Sequence, residues 1–194
     1  MDPMAEGTSF FSSNELADKG FRTLGRGVLV SRKASFYVPG TVSLGDNVRI
    51  DDFCILSGEI FIGSHVHVSA GCYFYGGKGI QIKDFVSISP RAMIFSAMDD
   101  FCGEYLVGPH IDAGFTHVTG GMVFIERFSA IGAGAMIFPA LTIGEGVVVG
   151  AMSMVKKSVD PWTIVAGVPA RYIKDRARKM KEIADEFIVR FSES

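Results

Sequence analysis

One aliphatic residue recurs at every sixth position over a long stretch of the chain, and a second small or aliphatic residue follows each of them four places later. An α-helix repeats near 3.6 residues and a β-strand at 2, so a period of six belongs to a larger unit that combines a short strand with a turn. This hexapeptide period predicts a β-helix. The first positions are Ile125, Ile131, Ile137, Ile143, Val149 and Val155, and the second positions are Ser129, Ala135, Leu141, Val147, Ser153 and Val159.

The same period occurs in two earlier runs. Two extra residues shift the frame between these runs, and residues 96–119 interrupt the repeat before it resumes. We therefore predict an inward-facing ladder along most of the chain, with one excursion. The first positions are Val38, Leu44, Ile50, Leu56, Ile62, Val68 and Phe74, then Ile82, Ile88 and Ile94, and the second positions are Val42, Val48, Cys54, Ile60, Val66 and Cys72, then Val86 and Ala92.

The residue patterns near both ends of the chain predict helices. Ser12 and Glu15 have capping-box spacing, which predicts a short helix over about residues 13–19. Apolar residues over 173–191 recur at alternating spacings of three and four, which predicts an amphipathic C-terminal helix. A terminal coil exposes unpaired backbone, so we expect the N-terminal helix to cover the first coil. We expect the C-terminal helix to cover the end of the solenoid or a neighbouring subunit. The predicted segments are an N-terminal capping segment (1–27), a β-helix (28–160) and a C-terminal segment (161–194).

A motif after the last repeat, together with the repeats, points to a family. The repeats combine an aliphatic residue, a frequent glycine and a second small or aliphatic residue, and Ala166–Arg171 then reads Ala-Gly-Val-Pro-Ala-Arg. In these features residues 28–176 resemble the left-handed β-helix acyltransferases, more narrowly the sugar acetyltransferases of bacterial surface-polysaccharide synthesis. The resemblance implies an all-β solenoid, a left-handed parallel β-helix with a short N-terminal helix, one long protruding loop and a C-terminal α-helix. It also implies a homotrimer with active sites between subunits.

The resemblance implies a site for acetyl-CoA, and no metal, near the Ala166–Arg171 motif. In the family this element borders the coenzyme, and its Gly-x-Pro-Ala-Lys/Arg pattern is matched here. Basic residues nearby would meet the coenzyme phosphates, and small residues on the last coils would admit the pantetheine arm. The alternative for the small residues is that they only fit tight corners. The candidates are Gly132, Ala133, Gly150, Ala151, Ser153, Lys156, Pro169, Ala170, Arg171 and Lys174.

The excursion at residues 96–119 is the second candidate site. A long loop that leaves a regular solenoid is more often functional than accidental. In the related acetyltransferases this loop helps to form the acceptor site against the neighbouring subunit. The resemblance therefore implies that its polar side chains bind and activate the acceptor. The catalytic candidates are Asp99, Asp100, His110 and His117, and the substrate-binding candidates are Ser96, Glu104 and Tyr105.

The start of this loop lacks the histidine that related enzymes often use as a general base; residues 96–100 read Ser-Ala-Met-Asp-Asp. An alcohol acceptor needs a base to take its proton, whereas a sugar amine should lose its proton at a pKa of about 7.7 to 8.0. We therefore predict acetyl transfer to the amino group of a dTDP- or UDP-linked deoxyamino sugar, for O-antigen or another surface polysaccharide. Asp99 or Asp100 would orient the ammonium or accept its proton; the alternative is that both only cap the loop.

Three other hypotheses stay open. The same family could acetylate a saccharide hydroxyl, with His110 or His117 as the base. A non-enzymatic trimeric scaffold could keep the fold and bind partners. Four histidines, which include His65 and His67, also raise a three-histidine zinc site like that of the β-helical carbonic anhydrases, but their spacing does not match that family.

Composition narrows these classes. The 194 residues, 48% hydrophobic and 21% charged, suit one globular domain. A net charge of -2 argues against nucleic-acid binding, which needs a concentrated basic surface. The longest uncharged run, 128–144, keeps the six-residue rhythm and contains Gly132, Gly134 and Pro139, which argues against a membrane span. The N-terminus lacks a signal-peptide pattern, so we expect a cytoplasmic protein.

Overall fold

The computed structural model describes residues 9–192, most of which form a parallel β-solenoid with three faces. Strands are numbered in chain order. The first face contains β2 (Leu29–Val30), β5 (Arg49–Ile50), β7 (His67–Val68), β9 (Ser87–Ile88), β14 (Ala130–Ile131), β17 (Val148–Val149) and β19 (Thr163–Gly167). The second face contains β3 (Ser35–Phe36), the first halves of β6 (Ile55–Ile62) and β8 (Tyr73–Ile82), β10 (Met93–Phe95), β15 (Met136–Ile137) and β18 (Met154–Val155). The third face contains β1 (Thr23–Leu24), β4 (Val42–Leu44), the second halves of β6 and β8, β13 (Val123–Ile125) and β16 (Thr142–Ile143).

The remaining elements lie at the ends of the solenoid or outside it. They are helices α1 (Ser13–Ala17) and α2 (Met180–Ser192), strands β11 (Ala97–Asp99), β12 (Val118–Gly120) and β20 (Ala170–Asp175), and the 3₁₀ turns Pro39–Thr41 and Ala113–Phe115. The extra residues that shift the repeat frame lie within β8, which continues from the second face to the third. Its neighbour β6 shifts register between Gly58 and Ile60, so the frame shift is absorbed by two bent strands.

The predicted hexapeptide ladder forms the interior, as the burial of its side chains confirms. From Leu44 to Val155, every first-position residue is at most 3% exposed. Full burial of one such side chain is worth roughly 1.5 to 3 kcal/mol, so stability is spread along the axis. The prediction was wrong for Val38, which is 54% exposed. Strand pairing places Phe36, not Val38, beside the inward Leu56, and Phe36 packs against the core. The 3₁₀ turn Pro39–Thr41 then adds residues before the next first-position residue, Leu44, so Val38 falls outside the ladder.

Helix α1 covers the first coils, and its capping box is confirmed. The N–H of Ser12 donates to Oε2 of Glu15 (2.8 Å), and the N–H of Glu15 donates to Oγ of Ser12 (3.4 Å). The helix ends at Ala17, two residues earlier than predicted, and its Leu16 side chain is buried. Arg32 makes two hydrogen bonds of 2.7 Å to Glu15. These, with the bonds from Ser12, lower the pKa of Glu15 to about 2.

The C-terminal helix begins later than predicted. Residues 170–175 form β20, which pairs antiparallel with β19, and Ile173 is 56% exposed within it. The helical spacing of apolar residues from Ile173 was therefore misleading, because β19 offers an unpaired edge that the next segment covers. The division at residues 27 and 160 stays a prediction. Strand β1 pairs with β4 and β19 pairs with β17, so paired strands lie on both sides of the segment 28–160.

Helix α2 lies over one corner of the solenoid, where aromatic side chains stack coil upon coil. We call His65, Phe85, Phe128 and Trp162 the covered row. Their successive ring centroids are 4.9, 5.6 and 6.2 Å apart. Phe187 of α2 lies edge-on to His65 at 5.2 Å. Stacked rings stabilise one another beyond the effect of their buried area, so contact with this row stabilises the position of α2.

Candidate functional site

Residues 97–120 leave the solenoid as an arm. The chain departs at Ser96 and returns at Gly121, whose N–H donates to the Ser96 carbonyl (2.9 Å). Strands β11 and β12 pair antiparallel at the base of the arm, where Ala97 faces Gly120. Gly120 has φ +144°, and a β-carbon there would collide with the Ser96 carbonyl. Only glycine therefore fits this junction.

Ser96 fixes the base of the arm to the coil. It is fully buried, and its hydroxyl accepts from the N–H of Lys78 (2.8 Å) and donates to the carbonyl of Tyr75 (3.2 Å). Its own N–H donates to the same carbonyl (3.0 Å). Within this chain the hydroxyl is thus engaged by backbone groups. Its predicted part in substrate binding stays a prediction.

The two adjacent carboxylates have different surroundings. Asp99 is half-buried at the end of β11, opposite Val118. Asp100 Oδ1 accepts from the N–H of Cys102 (2.8 Å). Hydrogen bonds from Cys102, with a smaller contribution from nearby His117, lower the pKa of Asp100. The carboxylate of Asp100 is therefore engaged within the arm, which leaves Asp99 as the first candidate of the two to contact an acceptor.

Two of the predicted side chains stack on each other near this pair. The rings of Tyr105 and His117 are 4.9 Å apart with 28° between their planes, and the carbonyl of His117 accepts from the N–H of Asp100 (2.8 Å). A bridge between Leu106 and Thr116 closes this part of the arm. His110 lies beyond that bridge and is exposed. The structure therefore groups Asp99, Asp100, Tyr105 and His117, and it separates His110 from them.

The arm presents apolar side chains to the outside, together with the exposed Glu104. Large exposed apolar side chains on one protruding segment make it a candidate interaction surface. The exposed fractions are 72% for Phe101, 58% for Leu106, 48% for Val107, 64% for Phe115 and 49% for Val118.

A cleft of about 750 Å³ lies between β18, the turn that follows it and the β19–β20 hairpin. Its volume is in the range of small-molecule sites. The predicted residues Lys156, Pro169, Ala170 and Arg171 line it, so the repeat and the terminal motif do converge there. Sequence reasoning missed Tyr172, which also lines the cleft and donates its hydroxyl to Asp175 Oδ1 (3.1 Å). Tyr172 directly follows the Ala166–Arg171 motif, and this position could have indicated from the sequence that it belongs to the same site.

The other predicted coenzyme residues lie on neighbouring coils. A β-carbon at Gly132 would collide with the backbone of Ala151, so close coil packing accounts for this glycine. Ser153 is 2% exposed and its hydroxyl accepts from the N–H of Gly167 (3.0 Å). Lys174 is exposed on β20. The remaining members, Ala133, Gly150 and Ala151, lie at the same corner as Gly132, and a coenzyme role for all six stays a prediction.

A second row of side chains, missed from the sequence, joins the cleft to the arm. Tyr75 and Phe95 stack at 5.5 Å with 11° between their planes. Strands β10 and β15 pair at Ile94 and Ile137, which places Phe138 beside Phe95 on the next coil. The Nζ atom of Lys156 lies 5.6 Å from the Phe138 ring. We call Tyr75, Phe95, Phe138 and Lys156 the open row. Each of the four directly follows an inward residue of the second face. This common position in the repeat could have revealed the row from the sequence.

Neither a metal site nor a membrane span emerges from residues 9–192. Nowhere in that range do three or more His, Cys, Asp or Glu side chains come together as metal ligands. His65 instead stacks on Phe85, and His67 Nε2 lies 2.8 Å from Asp51 Oδ2. The same range contains no helix that is long and apolar enough to cross a bilayer.

Comparison with known proteins identifies the family. No protein-family model matches the chain. Over 182 residues it is 34% identical to the dTDP-4-amino-4,6-dideoxy-D-glucose acyltransferase of Escherichia coli. The aligned residues cover 92% of this chain and 95% of that protein. The chain belongs to the hexapeptide-repeat acyltransferases. It is therefore an enzyme of acyl transfer.

Solved structures agree with this membership. One of these is the crystal structure of AntD, an N-acyltransferase from Bacillus cereus, which contains dTDP and 3-hydroxybutyryl-CoA. This chain is 50% identical to AntD, and the two structures superpose with a TM-score of 0.93 over 95% of this chain and 99% of AntD. A variant of AntD in complex with dTDP-4-amino-4,6-dideoxyglucose and coenzyme A gives a TM-score of 0.92 at 50% identity over 94% and 98%. The predicted fold class, a left-handed parallel β-helix with a helix at each end, is confirmed.

Proposed function

We propose that this acyltransferase moves an acetyl or slightly larger acyl group from coenzyme A to the amino group of a dTDP-linked deoxyamino sugar. Similarity along almost the whole chain to the Escherichia coli enzyme and to AntD carries the proposal, since the names of both specify a dTDP-linked amino sugar or its parts. Between the two nucleotides predicted from the sequence, this similarity favours dTDP over UDP. The missing histidine at the start of the arm agrees with an amine acceptor.

The reaction needs little from the protein beyond positioning. A neutral amine attacks the thioester carbonyl, forms the new C–N bond and expels the coenzyme thiolate as the C–S bond breaks. The amine proton passes to Asp99 or to water, and the thiolate takes up a proton. Backbone N–H groups would stabilise the oxyanion of the tetrahedral intermediate. Lys156 and Arg171 are the side chains of the cleft that suit the coenzyme phosphates, because both are exposed cations.

We also infer a homotrimer whose active sites lie between subunits. The arm exposes five large apolar side chains that a second copy would cover. The outward residues Tyr73, Met93, Met136 and Met154 of the second face, all partly exposed, extend that apolar surface. Sedimentation equilibrium should therefore give three times the mass of 20.9 kDa. A cytoplasmic location and a product used for O-antigen or another surface polysaccharide complete the proposal.

The decisive experiment is the release of free coenzyme A from acetyl-CoA in the presence of different acceptors. The panel consists of dTDP- and UDP-linked 3-amino and 4-amino deoxysugars beside matched hydroxyl sugars. We expect turnover with a dTDP-linked amino sugar. Turnover only with hydroxyl sugars would overturn the proposal in favour of O-acetylation, and the search for a base would move to His110 and His117. Failure to bind coenzyme A at all would favour the scaffold hypothesis.

A further inference from the structure

The open row is an apolar strip with a charged end, and it connects the two parts of the candidate site. Lys156 belongs both to the row and to the cleft. At the other end, the backbone carbonyl of Tyr75 holds Ser96, from which the arm departs. Three steps between paired strands separate Lys156 from Tyr75. At about 4.8 Å a step, the strip is roughly 14 Å long.

The composition of the strip decides what suits it. Phe95 and Phe138 are half-buried, while Tyr75 is 38% exposed, so the rings offer a surface without a cover from this chain. A ligand that is anionic at one end and apolar along the rest would match the cation at Lys156 and the rings beyond it. An acyl thioester of coenzyme A has this distribution, because its phosphates and its acyl group lie at opposite ends of the pantetheine arm.

We propose that Tyr75, the last ring of the open row beside the arm, is the wall that limits the size of the acyl group carried by the coenzyme. This inference rests on the proposed function. The strip delivers the thioester to the base of the arm, where Asp99 follows Ser96 by three residues. Tyr75 is the last ring of the strip on that side, so the end of the acyl chain meets its side chain.

The experiment compares kcat/KM for acetyl-, propionyl- and butyryl-CoA with one amino-sugar acceptor. Tyr75→Ala removes the ring and leaves room for a longer acyl group. The ratio of kcat/KM for butyryl-CoA to that for acetyl-CoA should therefore rise at least fourfold, the equivalent of about 0.8 kcal/mol for one newly accommodated methylene. In Tyr75→Trp the ratio should fall by a similar factor. The KM for the acceptor should stay as it is in both variants, since the change concerns only the acyl group.

Phe53→Ala is the matched control, because Phe53 is also an exposed aromatic residue, 62% exposed, and lies outside the row. It should leave the ratio unchanged. Phe95→Leu provides a second variant within the row, which keeps an apolar side chain and should also raise the ratio. Circular dichroism of each variant shows whether the solenoid is intact before kinetics are compared.

The outcomes separate the two proposals. Transfer from acetyl-CoA with an unchanged acyl ratio in all three row variants would overturn the wall while the proposed function stands. A changed subunit association with an unchanged ratio would also overturn it and would assign the open row to a second copy of the chain. No transfer from any thioester, with the wild-type protein and the full acceptor panel, would overturn the proposed function and this inference with it.

Discussion

The covered row and the open row are built in the same way but differ in what lies over them. Both stack aromatic side chains on successive coils at similar spacings. In the covered row, Phe128 and Trp162 are 3% and 4% exposed beneath α2, whereas Tyr75 in the open row is 38% exposed. The repeat itself therefore does not decide the role of a ring. Coverage by the same chain marks a ring as structural, and its absence beside a cleft and an arm leaves a ring open to a ligand or to a second copy of the chain.

The largest expected effect is on stability, in the covered row. Phe128→Ala should lower the free energy of unfolding by about 3 to 5 kcal/mol, because it removes a buried ring and leaves a cavity under α2. Chemical denaturation measures this change. Tyr75→Ala in the open row is the matched control and should cost about 1 kcal/mol or less, since half-exposed rings lose little buried area. Equal losses in the two variants would remove the distinction between the rows.

The next effect is on catalysis, where the open row reaches the arm. Asp99→Asn should lower kcat on the amino sugar by about a hundredfold, the lower range for loss of a general base, without a change in the unfolding midpoint. Asp100→Asn is the control, and we expect a smaller loss because that carboxylate is engaged by Cys102. Full activity in Asp99→Asn would leave His117 or the substrate itself to handle the proton.

At the Lys156 end of the open row, the expected effect is on coenzyme affinity. Arg171→Ala should raise the KM for acetyl-CoA about tenfold, the loss expected for one hydrogen bond to a charged group, with little change in kcat. Steady-state kinetics with varied acetyl-CoA measure it. Lys179→Ala removes an exposed cation outside the cleft and should change neither constant. An unchanged KM in Arg171→Ala would take this side chain out of the site.

The smallest effect concerns coverage of the other end of the solenoid by α1. The folded-state pKa of Glu15, about 2, lies below its ordinary value of 4.5, so its bonds with Arg32 and Ser12 stabilise the protein above pH 4.5 and are lost as the pH falls from there towards 2. The thermal midpoint of Glu15→Gln should be lower than wild type at pH 6, and the difference should vanish near pH 2. A difference that persists at pH 2 would contradict this assignment.

The parts of the fold that depend on local period were predictable from the sequence. The inward residues from Leu44 to Val155 follow from a period of six, because each coil must bury the same positions. The capping box of α1 follows from Ser12 and Glu15 alone. Helical spacing failed at Ile173, where pairing with the free edge of β19 overrides the local preference. Val38 failed because Phe36 takes the inward position beside Leu56 and the 3₁₀ turn adds residues before Leu44.

The candidate site was predictable only where its residues share a motif. Pro169, Ala170 and Arg171 belong to one motif, and they do line the cleft. The open row was missed because Tyr75, Phe95 and Phe138 are 20 and 43 residues apart along the chain, and the unequal intervals conceal a shared place on the coil. The difference between Asp99 and Asp100 depends on the fold of the arm, which the sequence alone does not reveal.

The junction at Ser96 and Gly121 has a consequence for how such enzymes diversify. The Ser96 carbonyl receives the N–H of Gly121, so the solenoid resumes beside the point at which it was left. Residues 97–120 are thus a cassette with adjoining ends, and their length and content can change without moving a coil. An ancestor could exchange this cassette to acquire a new acceptor while its coenzyme cleft, built on other strands, was inherited intact.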